Sequence, residues 1–349
     1  MKAPFVWFGG KRRVAPEVWA ALGDVPNYIE PFAGSLAVLL GRPHDMSNGT
    51  RRAETVNDAD GFLANFWRAL AHDPEAVAHW CDWPVNEVDL FARHLWLVNT
   101  GRSRLLEGME ADPDFYDAQV AGWWVWGVNA WIGSGWCSGD GPWVDTGDGI
   151  GKRPHLGDAG QGVNRQRPHL GSAGQGVNRQ LPHLGDAGRA GYNNMEYRPN
   201  VLGYFEELAG RLRDVRVCCG DWSRVCTSGA MSYGSKVGVF LDPPYLGDVR
   251  AADLYAVDDH TISHAVRDWC LEHGDDPRLR IVLAGYRAEH DDLMPDTWRR
   301  HYYSASAAYS TTESAARQDG NHANRANEVL WFSPHCVTPD RQGELWEAL

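Results

Sequence analysis

Val237-Gly238-Val239-Phe240-Leu241-Asp242-Pro243-Pro244-Tyr245 decides the fold. Five apolar residues in a row, two of them β-branched and one aromatic, predict a strand buried on both faces. The run stops at an acid and two prolines. Proline has no backbone N–H and a fixed φ, so the strand ends there and the chain turns. In open α/β sheets ligands bind beyond the carboxyl ends of parallel strands, which makes Asp242 the first candidate for chemistry.

Other strands fall on either side. Tyr28-Ile29-Glu30 reads as a strand, Pro31-Phe32-Ala33-Gly34-Ser35 as a tight turn, and Leu36-Ala37-Val38-Leu39-Leu40 as the start of a helix. Thr55-Val56-Asn57-Asp58 reads as a second strand ending in an acid. Val201–Arg213 and Ser263–Glu272 read as helices, and Val215–Cys219, Ile281–Leu283 and Val329–Phe332 as strands, the first of these buried. Residues 60–132 read as helical: Phe62, Leu63, Phe66, Trp67 and Leu70 share one face. Trp123, Trp124, Trp126 and Trp131 read as a buried aromatic surface. The expected fold is α/β: a Rossmann-like sheet from 1–60 and 199–349, with a helical, loop-rich second domain inserted at 61–198, which the family resemblance given below implies is a target-recognition domain.

The insert contains a 14-residue repeat. Pro154–Arg167 and Pro168–Leu181 agree at 12 of 14 positions, and Pro182–Met195 keeps the first seven. Each copy has too few apolar residues for a core of its own, so an extended Gly-rich segment is expected rather than a solenoid. His155, His169 and His183 recur too far apart for the usual zinc pair and read as turn residues or DNA contacts.

The formal charge is −13, which argues against a generally sticky nucleic-acid binder. The charge is uneven, however. Residues 151–200 carry seven Lys/Arg against three Asp/Glu, and residues 1–13 carry four basic residues and no acid. The seven cysteines are scattered without a Cys-x-x-Cys, which fits a reduced, cytoplasmic protein without disulfides or structural zinc. There is no apolar run long enough for a membrane span, and no apolar leader at the N-terminus.

Asp242-Pro243-Pro244-Tyr245 suits one kind of chemistry. The exocyclic amine of adenine is a poor nucleophile because its lone pair is delocalised into the ring. A carboxylate and a rigidly held carbonyl, accepting the two N–H bonds, turn that lone pair outward. The tyrosine ring offers a stacking face. Three weaker signals accompany the motif. The turn after Glu30 permits close backbone approach at Gly34 and leads into a helix N-terminus suited to an anionic group. Trp7-Phe8-Gly9-Gly10-Lys11 is a Gly pair beside a cation. Asp58 ends its strand 24 residues after Gly34, where dinucleotide folds place a ribose-binding acid.

In this order the pieces resemble the Dam-type, alpha-class DNA adenine-N6 methyltransferases, over residues 5–60 and 199–332. The resemblance implies a site-specific enzyme that transfers a methyl group from S-adenosylmethionine to N6 of a flipped-out adenine in double-stranded DNA, without metal, in a bacterial or phage-infected cell. It implies that Trp7, Gly10 and Lys11 contact the cofactor, that Phe32, Ala33, Gly34 and Ser35 cradle its methionine part, and that Asp58 binds its ribose. Asp221-Trp222 would pack near its adenine, and Asp242, Pro243, Pro244 and Tyr245 would be catalytic. Arg165, Arg179, Asn164 and Asn178 in the repeats, with Gln166 and Gln180, are of types that reach phosphates and base edges. One position departs: the family's glycine motif often ends in a second Gly where this chain has Leu36. Cytosine-N4 methylation is the alternative chemistry, and it usually has Ser in place of Asp242. RNA and protein-glutamine methyltransferases usually show Asn there. A catalytically inactive DNA-binding relative is the non-enzyme alternative.

Overall fold

The computed structural model describes residues 1–5, 7, 11–43, 52–131, 136–137, 143–145, 150–152, 201–244, 262–303 and 328–338. The chain divides into two units. One comprises Met1–Trp7, Ala59–Cys219 and Ala252–Ala256; the other comprises Phe8–Asp58, Gly220–Ala251 and Val257–Leu349.

In chain order the elements are α1 (Ala15–Leu22), β1 (Asn27–Glu30), α2 (Ala37–Leu40), β2 (Ala53–Asp58), α3 (Gly61–His72), α4 (Pro74–Cys81), α5 (Glu87–Trp96), α6 (Arg102–Ala111) and α7 (Ala118–Ala130). There follow β3 (Trp143–Asp145), β4 (Ile150–Lys152), α8 (Val201–Leu212), β5 (Val215–Cys219), β6 (Val237–Leu241), α9 (Ile262–His273), β7 (Leu279–Tyr286), α10 (Arg287–His290), β8 (Arg299–Tyr303) and β9 (Glu328–Phe332).

The second unit holds six strands of a seven-stranded sheet, ordered β2-β1-β6-β7-β9-β8. β1 runs parallel to β2 and β6, and β6 parallel to β7, while β9 is antiparallel to β7 and to β8. The centre is the buried part: every residue of β1, β6 and β9 is buried, and so are six of the eight in β7. β6 therefore has the two-sided burial that its apolar run predicts. β8 reads from the sequence as nothing in particular. Its Arg299-Arg300-His301-Tyr302-Tyr303 is polar because it is an edge strand, with its hydrogen bonds satisfied on one side by β9.

The first unit is helical. Phe62, Leu63, Phe66, Trp67 and Leu70 of α3 are all buried, as their spacing predicts. Asp60 caps α3 by accepting from the Phe62 N–H at 2.8 Å. Asp117 caps α7 by accepting from the Val120 N–H at 2.9 Å, and the Asp117 backbone is tied to Asn65 of α3 by a reciprocal pair of hydrogen bonds. Trp124 and Trp126 are buried, but Trp123 and Trp131 are only half-buried, so the aromatic surface is less enclosed than expected. β5 also departs from expectation. It is half-buried with Arg216 exposed, rather than a core strand, because its alternate positions carry polar or small side chains. β3 and β4 pair antiparallel.

All seven cysteines are free thiols. No helix among the described residues is long and apolar enough to cross a membrane.

Candidate active site

The second unit gathers its chemistry at the carboxyl ends of β1, β2 and β6, three neighbouring parallel strands. After β1 the chain turns through Pro31–Leu36. Gly34 has φ of +46°, a conformation open to glycine without a Cβ clash. Its N–H donates to the Asp58 carboxylate at 2.9 Å, so the glycine turn and the acid ending β2 form one structure. Ala33 N–H donates to the Asn57 carbonyl at 2.8 Å and reinforces the join.

Asn57 is a contributor that the sequence reading missed. It is 1% exposed, and its Nδ2 donates to the Pro31 carbonyl at 3.0 Å and to the Gly220 carbonyl at 2.9 Å. One side chain thus ties the turn, the end of β2 and the segment leading to Trp222. Its place beside Asp58 was the only signal, since nothing local in a sequence marks an asparagine that bridges two remote carbonyls.

Leu36, where the family pattern often has glycine, sits at φ 55° and ψ 28°, in the left-handed region. The backbone there still adopts the conformation that favours glycine. A non-glycine residue in that region is disfavoured by roughly 1–2 kcal/mol. The Leu36 side chain is fully buried, which offsets that cost by an estimated 1.5–3 kcal/mol. The turn thus keeps its path while one core side chain is added. The expected helix after it is only the four-residue α2, too short to act as an anion-attracting helix terminus, so any ligand here is held by individual groups.

Ala33 and Ser35 are buried, while Phe32 and Trp222 are half-buried. The Phe32 and Trp222 rings lie 6.2 Å apart at 26°, and Trp222 meets Trp269 of α9 edge-on at 6.3 Å. Because Gly220 N–H donates to the Asp58 carbonyl at 3.0 Å, this aromatic surface stands next to the acid at the end of β2. An acid beside part-exposed aromatic rings fits a nucleoside, with ribose on the carboxylate and base on the rings. Asp221 is exposed, and its carboxylate accepts from the Ser223 N–H at 2.9 Å, which caps the short turn that holds Trp222.

Lys11, in a 3-10 turn at Lys11–Arg13, is 6% exposed. Its Nζ lies 3.0 Å from Asp242 Oδ1. A cation from the Gly-Gly-Lys segment and the acid after β6 are therefore one ion pair, although 231 residues separate them. Asp242 directly follows β6, with its side chain 20% exposed, and Pro243 is buried behind it.

Glu30, the last residue of β1, is 2% exposed and takes a hydrogen bond from the Tyr28 hydroxyl at 2.9 Å. Burial is the main cause that pushes its carboxyl up to about 8, and nearby Asp242 and Glu54 add to the shift. Glu30 is not among the site residues that the sequence motifs suggest.

Trp7 belongs to the first unit, where its ring lies 5.9 Å from Phe5 and 6.3 Å from Trp124. Gly10 and Tyr245 lie outside the described residues, as do Arg165, Arg179, Asn164, Asn178, Gln166, Gln180 and the three repeat histidines. Among the described residues no cluster of three His, Cys, Asp or Glu side chains is placed to hold a metal ion.

A mostly parallel sheet with a glycine turn after one strand, an acid ending its neighbour and an Asp-Pro-Pro after the third has the Rossmann-like arrangement of a methyltransferase. More particularly, residues 7–85 match the family model of the D12 class N6 adenine-specific DNA methyltransferases. The match supports an adenine-specific DNA methyltransferase acting in DNA adenine methylation, and agrees with the resemblance carried by the motifs. No curated protein sequence matches the chain.

Proposed function

We propose that the chain transfers a methyl group from S-adenosylmethionine to N6 of an adenine swung out of double-stranded DNA. The observation that carries this reading is the Lys11–Asp242 ion pair at 3.0 Å. The family match ends at residue 85, well before Asp242. The ion pair joins the Asp-Pro-Pro motif to the matched segment, and the parallel pairing of β1 with β2 and with β6 supports reading the ends of the three strands as one site.

The residues fit the donor. Asp58, fixed by Gly34, suits ribose hydroxyls, Phe32 and Trp222 suit a purine face, and the turn Phe32–Ser35 suits the methionine part. Trp7, Gly10 and Asp221 complete the proposed cofactor set. When bound, S-adenosylmethionine supplies a methyl group on a positively charged sulfur. Asp242 accepts one amine N–H of the target base, and the Pro243 carbonyl accepts the other. Pro243 and Pro244 limit the backbone freedom of that carbonyl. Asp242 would stabilise the positive charge that the amine nitrogen gains as the C–N bond forms and the sulfur–methyl bond breaks, leaving the neutral thioether. One amine proton then leaves toward the Asp242 carboxylate. Lys11 fixes the direction in which that carboxylate points. Tyr245 stacks on the base, which must leave the duplex to reach Asp242. Positioning and charge complementarity supply most of the acceleration.

The first unit, with the repeats at 154–195, is the proposed target-recognition part. Arg165, Arg179, Asn164 and Asn178 would contact DNA. A DNA substrate and seven free thiols fit an intracellular setting.

The test has two arms. Calorimetry should show that the purified protein binds S-adenosylmethionine and S-adenosylhomocysteine without added metal. Mass spectrometry of digested product DNA should show N6-methyladenine and no N4-methylcytosine. A folded protein that binds neither ligand refutes the reading, and methylcytosine alone as product selects cytosine-N4 chemistry.

A further inference from the structure

Glu30 closes β1 one residue before the glycine turn, and none of the proposed steps uses it. Its surroundings are unusual for an acid. Two hydrogen bonds reach it, from the Tyr28 hydroxyl and the Leu39 backbone N–H. The charged groups facing it from the neighbouring strands are both acids, Asp242 after β6 and Glu54 in β2. Each of these acids has its own cation: Lys11 lies 3.0 Å from Asp242, and Arg42 lies 2.8 Å from Glu54 and also donates to the Val25 carbonyl. Among the described residues no Lys or Arg stands within ion-pair distance of Glu30. A buried carboxyl with acids around it and no cation keeps its proton. Tyr28 remains a hydroxyl throughout the ordinary range, because burial and Glu30 push it well above its usual value.

We propose that Glu30 is a positioning residue that sets the charge beneath the methyl-donor turn, standing there as a neutral acid whose ionisation favours a cationic ligand over its uncharged counterpart. It rests on the cofactor reading above. S-adenosylmethionine and S-adenosylhomocysteine differ by one methyl group and one positive charge, so they are the pair that Glu30 discriminates. The neutral form has a use in the reaction. An ionised Glu30 would stabilise the state in which the sulfonium still carries its positive charge, and would hold the reaction back as that charge moves to nitrogen. A protonated Glu30 avoids this and lessens the preference for substrate over product only modestly.

The size follows from linkage. Whatever factor the sulfonium contributes to Glu30 ionisation, ionisation returns to the binding of the sulfonium. For unit charges about 10 Å apart at an effective dielectric constant of about 20, that factor is on the order of tenfold.

The experiment measures the dissociation constants of both ligands by calorimetry from pH 6.5 to 9.5, for the full chain, Glu30→Gln and Tyr28→Phe. In the unaltered protein the preference for S-adenosylmethionine should rise about tenfold through pH 8. Glu30→Gln should not show this rise. The ligands' own amino groups titrate in all three proteins, so the difference between the unaltered protein and Glu30→Gln isolates Glu30. In Tyr28→Phe the rise should move to higher pH, because the hydroxyl that favours the ionised form is gone. A structural role alone would change affinities without changing this pH profile. If both ligands bind and the unaltered protein tracks Glu30→Gln at every pH, the Glu30 proposal fails and the cofactor reading stands. If neither binds the folded chain, both fail. A readout independent of ligand is urea unfolding from pH 4 to 9. Relative to Glu30→Gln, the unaltered protein should lose stability as pH rises from about 4.5 to about 8. Parallel curves would overturn the neutral-acid assignment.

Discussion

The Lys11–Asp242 pair lends itself to a double-mutant cycle. Replacing Asp242 with Asn keeps the shape and removes the charge. The loss of a positioned acceptor for developing charge should lower kcat by about two to three orders of magnitude, or 2.7–4 kcal/mol. Replacing Lys11 with Met removes the cation and keeps most of the stem. Lys11 is 6% exposed and Asp242 20%, so the carboxylate left behind is partly solvated. The cost in folding stability should therefore fall below the 3–5 kcal/mol of breaking a fully buried pair, and the misdirected carboxylate should lower kcat about thirtyfold, or about 2 kcal/mol of barrier. If Lys11 works through Asp242, the double variant should be about as slow as Asp242→Asn alone, with a coupling of about 2 kcal/mol. Single-turnover methyl transfer to DNA under saturating cofactor reads the three rates, and calorimetry of cofactor binding runs beside it. Fully additive losses would refute the coupling. A Lys11→Met protein whose whole defect lies in cofactor affinity would return Lys11 to the cofactor-contacting role that the family resemblance implies.

Two further outcomes are expected. Leu36→Gly removes the left-handed penalty of roughly 1–2 kcal/mol but also a fully buried leucine, whose truncation costs about 2–5 kcal/mol, so the urea midpoint should fall; an unchanged or higher midpoint would contradict the account of this turn. Deleting Pro168–Leu181 as one whole repeat should leave cofactor binding intact, weaken DNA binding and flatten its salt dependence by about one unit per lost phosphate contact; unchanged affinity and slope would make the segment a spacer.

What the sequence revealed depended on whether the signal was local. β6 and β9 are continuous apolar runs and α3 has a clear 3.6-residue stripe, so each was legible from its own residues. β8 was missed because an edge strand does not need an apolar face, and β5 was read as too buried because its β-branched residues pointed to a core. Position 36 was legible only as a departure. That its backbone keeps the glycine-like φ with a leucine needed coordinates. The site divides in the same way. Asp58, Gly34 and Asp242 could be named one at a time, but their pairings could not, because Lys11–Asp242 and Asn57–Gly220 join residues far apart in the chain. Glu30 carried even less signal, since its proton depends on which cations its neighbours have already taken.

β1 has one strand partner close by in sequence and one very far away: Asn27 is in register with Ala53 on one side and with Val237 on the other. In the unfolded chain, closing a loop of some 210 residues costs roughly 4–5 kcal/mol of chain entropy, against about 3 for the 26 residues to Ala53. During synthesis the β1–β2 pair can form early, but it then waits with an open inner edge through some 180 residues of translation before β6 arrives. The acid that β6 carries into the site comes with the same strand that covers that edge. With Asp242 in the proposed role, catalytic competence and protection from edge-to-edge aggregation are acquired in one step, and a ribosome that stops before residue 237 releases a chain that has neither.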